Sequence, residues 1–210
     1  MGLAAGVLVS PLADRLATNA PLHAPLLRSV PRSPRLPLLL MALAALGAAC
    51  GAVYGFTLEA LVAAIFCWVL VVITRTDLEH RLIPDAIVLP GAVVVLALRT
   101  IDDPGVEWIL SALAAGLVLF LVVLVYPRGL GMGDVKLTAF LGAGLGISVV
   151  VALFVGFFLA FVPALVLFVR HGRAARTSAI PLGPFLAAGG IVALFWGDAI
   201  LDWYRELGMQ

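Results

Sequence analysis

The sequence is poor in charged residues. Asp, Glu, Lys and Arg make up only 12% of its 210 residues, whereas 63% are hydrophobic, and soluble domains carry about 25% charged residues. This shortage excludes a soluble domain and predicts an all-α, polytopic integral membrane protein surrounded by a lipid bilayer. The net charge of +1 also leaves no overall field that would recruit nucleic acid.

Cysteine and histidine are scarce as well, which limits the kinds of site that the chain can build. The two cysteines, Cys50 and Cys67, lie inside apolar runs without a C-x-x-C pair, so we interpret them as small buried hydrophobic residues rather than metal ligands or a disulfide. His80 has no second histidine or suitably placed serine nearby, so a Ser-His-Asp site finds no support. We expect no metal and no other cofactor.

Long apolar runs dominate the rest of the chain. A helix needs roughly 20 apolar residues to cross a bilayer, and about eight transmembrane segments are predicted, some of them short. The longer ones are Leu36–Phe56, Leu58–Thr74, Val106–Tyr126, Ile147–Val169 and Ile180–Leu201, and the shorter ones are Leu3–Ala13, Ala86–Leu98 and Val135–Leu145. The stretch between the first two segments, Asp14 to Arg35, is rich in proline and is predicted to be a loop.

The basic residues indicate how these segments are oriented. If the eight segments alternate in direction, all of the 13 Lys and Arg residues except Arg99 and Arg205 fall on one side. Short cytoplasmic loops are enriched in Lys and Arg, so this side is predicted to be the cytoplasm, with both termini outside. The acidic residues show the reverse trend, and most of them fall on the outer side. Asp77, Glu79, Asp85 and Asp134 are the exceptions, because they lie on the same side as the cytoplasmic arginines.

Two aspartates stand at opposite kinds of helix end. Asp77 follows Leu58–Thr74 so closely that it should occupy the last turn, where the macrodipole is negative and the protonated carboxyl is favoured. Asp134 precedes Val135–Leu145 in the position of an N-cap, where the ionised form is favoured. If they meet, they form a carboxylate pair in which one member activates water and the other polarises a carbonyl. We expect Asp134 to be the resting base and Asp77 the acid.

Each of these residues also has a purely structural interpretation. Asp134 can simply cap a helix, Asp77 can pair with Arg81 one turn on, and Asp85, which follows Pro84, is better explained as a cap of the next helix.

The glycines of "RGLGMGDVK" raise the same question. Gly129, Gly131 and Gly133 recur at every second residue, which is the period of an extended chain and would let a substrate backbone approach and pair. A flexible loop is the alternative.

Together, the two aspartate segments resemble a known family. The "GMGD" of Gly131 to Asp134, which continues as "VKLTAFLGAGLG", and the D-x6-PD pattern from Asp77 to Asp85 are similar to the two signatures of the type IV prepilin peptidases, bacterial members of the GxGD membrane aspartic proteases. The "IPLGPFLAAGG" and "WGD" stretches near the C-terminus are similar to the last helix of that family. The resemblance covers residues 58 to 200 well and the N-terminus poorly.

The resemblance implies a function and a set of site residues. Asp77 and Asp134 would be the catalytic pair of a peptidase in the bacterial inner membrane, which removes a short basic leader from prepilins or pseudopilins at the cytoplasmic face. Glu79 and Asp85 would be free to attract the leader. Gly131, Gly133 and Lys136 would bind substrate or support the site. The domain would cover residues 57–210, preceded by divergent membrane segments in 1–56.

The chain departs from the family in its loop after the first segment. Many family members also methylate the new N-terminus and carry there a larger cytoplasmic region with zinc-binding C-x-x-C pairs, whereas Asp14 to Arg35 is short and contains no cysteine. We therefore expect a short form of the family that has peptidase activity and binds no zinc, and we regard N-methyltransferase activity as doubtful.

A small membrane transporter and an inactive scaffold for pilus or secretion assembly are the alternative functions. Oligomeric state is not predicted.

Overall fold

Helices account for nearly all of the chain that the computed structural model describes, which is residues 36–126, 130–171 and 181–208. The helices are α1 (Leu36–Tyr54), α2 (Leu58–His80), α3 (Asp85–Asp102), α4 (Glu107–Val125), α5 (Met132–Leu145), α6 (Val149–His171) and α7 (Gly183–Gly208), with a short 3-10 helix at Gly146–Ser148 between α5 and α6. No strand occurs in these ranges, so the all-α prediction is confirmed for them.

Each predicted segment from Leu36 onward corresponds to a helix, but the number of membrane crossings is not confirmed. Within the described residues, four helical runs are long and apolar enough to cross a membrane, and they are Leu58–His80, Glu107–Val125, Met132–Arg170 and Gly183–Gly208. Helix α5 has 14 residues and is therefore about 21 Å long, shorter than the hydrocarbon core of a bilayer. The predicted segment Leu3–Ala13 and the Pro-rich loop lie outside the described residues.

Contacts between distant residues show that the helices alternate in direction. The end of α2 meets the start of α7 through Asp77 and Gly183, and the end of α3 meets the end of α5 through Arg99 and the Gly144 carbonyl. Ser148, just before α6, bonds to Asp198 far along α7. The bundle thus has a site end, which contains Asp77, and an opposite end, which contains Arg99.

Helix α5 lies in the middle of the bundle and is buried on most of its surface. It packs against α3, α4 and α7, and the Phe140 ring stacks on Phe66 of α2 with a centroid distance of 4.9 Å. Gly142 lets α5 approach the backbone of α4 closely, because a Cβ atom there would lie 2.5 Å from the Ser111 carbonyl oxygen. Small residues at such crossings are typical of membrane helices, whose association depends on close packing.

The apolar side chains of α4 and α6 are largely exposed, as lipid-facing helices require.

Cys50 and Cys67 are both buried as free thiols. The prediction that both are buried is therefore confirmed, and the two thiol groups also contact each other.

Candidate active site

Asp77 lies inside α2, three residues before the helix ends at His80. Its side chain is buried, with 6% of the residue exposed. The backbone N–H of Gly183, the first residue of α7, donates a hydrogen bond of 2.9 Å to Asp77 Oδ2. Arg81, the residue after His80, caps the C-terminal end of α2 in a left-handed conformation with φ of 52°. The described residues show no close ion pair between Arg81 and Asp77, but the Arg81 charge acts electrostatically on the Asp77 carboxyl group, so the interpretation of Arg81 as its partner stays a prediction.

Asp134 occupies the third position of α5 and is not its N-cap. The helix begins at Met132, and the capping residue is Gly131. Glycine offers no side chain to the free amides of the first turn, so the bond runs in the other direction: the Gly131 N–H donates to Asp134 Oδ2 at 3.2 Å. The Asp134 N–H in turn donates to the Gly131 carbonyl at 3.1 Å.

The two aspartates lie at the same end of the bundle, close enough to influence each other electrostatically. Asp77 is among the groups that act electrostatically on Asp134, and both carboxyl groups stand at the site end of the bundle. Each has its Oδ2 atom held by a glycine amide at the start of a helix. In the part of the chain that the structure describes, neither Oδ1 atom accepts a hydrogen bond. Each carboxylate thus has one oxygen fixed by a backbone amide.

The loop between α2 and α3 follows Asp77 and packs against the start of α5, the helix that carries Asp134. A Cβ atom at Gly133 would lie 3.0 Å from the Cβ atom of Ile83, so a larger residue there would require Ile83 to shift by a few tenths of an ångström. One turn further along α5, Lys136 Nζ lies 2.6 Å from Asp85 Oδ2 at the start of α3. The segment from Asp77 to Asp85 is therefore packed directly against the start of α5.

The glycine run does not form the extended strand that its period predicted. Gly131 has extended backbone angles, with φ of −90° and ψ of 155°, but Gly133 lies within α5. Gly129 lies outside the described residues. The two described glycines also differ in their surroundings: a Cβ atom at Gly131 would make only an ordinary contact, 3.6 Å from Asp134 Oδ2.

The acidic residues that were expected to be free are both paired. Glu79 accepts from Arg75 Nε at 3.2 Å within α2, and Asp85 pairs with Lys136. Asp85 is the first residue of α3, after Pro84 at the N-cap, and makes no capping hydrogen bond. The interpretation of Asp85 as a cap is therefore wrong, and its observed partner is on another helix.

Gly183 is a part of the site that the sequence did not reveal. The resemblance included the stretch around it, but no role was assigned to the residue. The available signal was a glycine between two prolines, Pro181 and Pro184, at the start of a long apolar run. Such a glycine indicates a turn or a close approach, but not which of the distant residues it contacts.

Comparison with known protein families gives a match over the part of the chain that contains both aspartates. The model of the type IV leader peptidase family matches residues 64–169, a range that contains both Asp77 and Asp134. The chain belongs to this family. Gly183 lies outside the matched range.

Curated relatives give the same result over a longer part of the chain. The chain is 34% identical over 170 residues to a prepilin leader peptidase/N-methyltransferase of Bacillus subtilis, covering 79% of this chain and 68% of that protein. Proteins of the same name from Legionella pneumophila (32% over 160 residues, 72% of this chain and 55% of that protein) and Aeromonas hydrophila (36% over 157 residues, 69% and 52%) also match. The chain thus spans about half the length of the latter two. No solved structure matches.

Proposed function

We propose that this protein is a membrane aspartic endopeptidase that removes the short basic leader of type IV prepilins or pseudopilins. The observation that supports the proposal is the placement of Asp77 and Asp134, two acidic side chains on separate helices at the same end of an apolar bundle, each of which accepts a hydrogen bond from a glycine amide at a helix start. Acidic groups at membrane depth are costly and usually functional. Membership of the type IV leader peptidase family supports the substrate class.

The chemistry would be direct attack of water on the scissile peptide. One carboxylate, for which we propose Asp134, takes a proton from a water molecule as its oxygen forms the new bond to the carbonyl carbon. The other, Asp77, donates its proton to the carbonyl oxygen. The tetrahedral adduct then breaks its C–N bond, and the amine leaves with a proton from the pair. No covalent enzyme intermediate and no cofactor are required.

The site end of the bundle is proposed to face the cytoplasm. Among the described basic residues, Arg75, Arg81, Lys136 and Arg170 belong to the site end, and Arg99 and Arg205 belong to the opposite end. This distribution follows the enrichment of Lys and Arg in cytoplasmic loops. It supports an inner-membrane protein that meets the basic leader on the cytoplasmic side while the hydrophobic helix of the substrate remains in the bilayer.

Leader recognition is proposed to involve Asp85 more than Glu79. The Asp85 side chain is 56% exposed, so a lysine or arginine of the leader can exchange with Lys136 at little cost in desolvation. Glu79 is engaged with Arg75, which is only 4% exposed. Gly131, on the open side of the α5 start, is the glycine that a substrate backbone can approach.

The alternative functions differ from the peptidase in what the two aspartates must do. A transporter needs polar groups along a path through the middle of the membrane, whereas these carboxylates gather at one end. An inactive scaffold needs neither carboxylate for chemistry and would use them only for their hydrogen bonds to Gly183 and Gly131. Methylation of the new N-terminus is named in the relatives and is not included in the proposal.

Co-expression of the protein with a tagged prepilin from the same genome tests the proposal in cells. We expect a gel shift with the native protein and none with Asp77→Asn or Asp134→Asn at equal membrane levels. Mass spectrometry of the new N-terminus should place the cut after a glycine and will reveal any added methyl group. Cleavage by either variant at the native level would contradict the peptidase mechanism.

A further inference from the structure

The contact between Gly183 and Asp77 joins residues that are 106 positions apart. Gly183 begins α7, and the first amides of a helix have no partner within that helix. The following residue, Pro184, has no N–H, so the Gly183 N–H is the foremost donor at this helix start. It donates to Asp77 Oδ2 at 2.9 Å in a buried setting. The helix start of α7 is thus directed at one of the two proposed catalytic carboxylates.

The contact also leaves no space for a side chain. A Cβ atom at Gly183 would lie 2.7 Å from Asp77 Oδ2, 3.1 Å from its Cγ and 3.2 Å from its Cβ. All three atoms belong to a short, buried side chain, so the overlap can be relieved only by moving the carboxylate or the start of α7. Any other residue at this position would therefore change the position of the Asp77 carboxylate relative to the start of α7.

We propose that Gly183 is a positioning residue for Asp77, an inference that rests on the proposed peptidase function. Its amide holds Oδ2 and thereby fixes the orientation of the carboxylate, and the Gly131 amide bonds to Oδ2 of Asp134 in the same way. Catalytic groups must be held within about 0.5 Å of their working geometry by such supporting contacts. Gly183 acts through Asp77 and does not itself touch the substrate.

A matched variant separates positioning from general packing. Gly197 lies on the same helix at the opposite end of the bundle, and a Cβ atom there would also lie 2.7 Å from a side-chain atom, Cβ of Ser148. Gly183→Ala and Gly197→Ala therefore create similar overlaps, and we expect similar losses of melting temperature. Only Gly183→Ala should impair catalysis.

Two measurements on the full chain in liposomes complete the test. In cleavage of a purified prepilin, Gly183→Ala should lower kcat by about 100-fold, the usual scale for a misplacement of about 1 Å, with little change in KM, while Gly197→Ala keeps native kcat. Infrared spectra with 13C-labelled aspartate do not depend on activity: the carboxyl band that disappears in Asp77→Asn should shift in Gly183→Ala and stay in place in Gly197→Ala.

The outcomes distinguish the two proposals. If the native protein cleaves and Gly183→Ala cleaves equally well, or if both glycine variants lose kcat to the same degree, the positioning role is wrong while the peptidase stands. An unshifted Asp77 band in Gly183→Ala would refute the contact itself. If the native protein cleaves no prepilin, the proposed function is wrong and the catalytic role of Gly183 is overturned with it, even if the band shifts.

Discussion

Lys136 Nζ lies 2.6 Å from Asp85 Oδ2 and joins the start of α5 to the start of α3. The two residues come from the two signature segments of the chain, and their pairing fixes the distance between those segments beside the site. Both side chains are partly exposed, at 31% for Lys136 and 56% for Asp85. An ion pair of this kind contributes at most about 1 kcal/mol to stability, so its removal should not unfold the protein.

The first prediction concerns this pair and leader binding. Asp85→Asn should raise KM for a prepilin with a basic leader by about fivefold, the equivalent of an exposed ion pair, with kcat unchanged. Lys136→Met should leave KM unchanged or lower it, because Asp85 is then free for the leader. The difference between native protein and Asp85→Asn should shrink at high salt. Equal KM values for all three proteins would show that Asp85 does not bind the leader.

The second prediction separates the two described glycines of the GxGD motif. Gly133→Ala should destabilise the protein by about 1–3 kcal/mol, as expected for overpacking, because the new Cβ atom meets Ile83 at 3.0 Å. Gly131→Ala meets only Asp134 Oδ2 at 3.6 Å and should cost less than about 1 kcal/mol at a capping position. Melting temperatures in detergent provide the ranking. The reverse order would contradict the packing described at Ile83.

Activity of the Gly131→Ala variant adds a second readout. The variant should fold and yet cleave more slowly if a substrate backbone passes over Gly131, as proposed. Native kcat and KM in the folded variant would show that this glycine is not part of the substrate path.

The third prediction concerns the opposite end of the bundle. Arg99 is buried, donates from Nε to the Gly144 carbonyl at 3.1 Å and lies 4.9 Å over the Trp108 ring. Lysine cannot reproduce this planar arrangement, so Arg99→Lys should cost about 2 kcal/mol, the scale of a charged hydrogen bond. Because the site lies at the other end, kcat and KM of the folded variant should stay native. Thermal unfolding and cleavage assays on one preparation test both parts, and a selective loss of kcat would contradict the separation of the two ends.

The helices were predictable from hydropathy because each apolar run is bounded by polar or Gly/Pro residues. The prediction that Asp77 lies in the last turn of α2 is confirmed, but hydropathy alone does not predict where this helix ends. Hydropathy ends the segment at Thr74 because Arg75 to His80 are mostly polar, yet the helix continues to His80. It continues because Arg75 pairs with Glu79 one turn on and Asp77 meets the start of α7. The second of these partners is remote in the sequence and invisible to a local pattern.

The candidate site was predictable only in part. The motifs identified Asp77 and Asp134, and their catalytic role stays a prediction. Local rules placed Asp134 at the N-cap because Val135 begins the apolar run, whereas Gly131 caps the helix three residues earlier. Asp85 was placed as a cap for the same reason, since the rules consider only neighbours and not Lys136, 51 residues away. Contacts across the bundle decide these details.

The central claim is that Asp77 and Asp134 together activate water for peptide cleavage. The most direct measurement is the single-turnover rate of prepilin cleavage by the purified protein in liposomes, for the native chain and for Asp77→Asn, Asp134→Asn and Asp198→Asn. Asp198 serves as the matched control because it bonds to Ser148 at the opposite end.

We predict that each of the first two variants loses at least about 100-fold in rate, the contribution of a general acid or base, while it remains folded and binds the prepilin. Asp198→Asn should cleave at the native rate once corrected for any loss of folded protein. A native rate in Asp77→Asn or Asp134→Asn, or an equal loss in all three variants, would contradict the account.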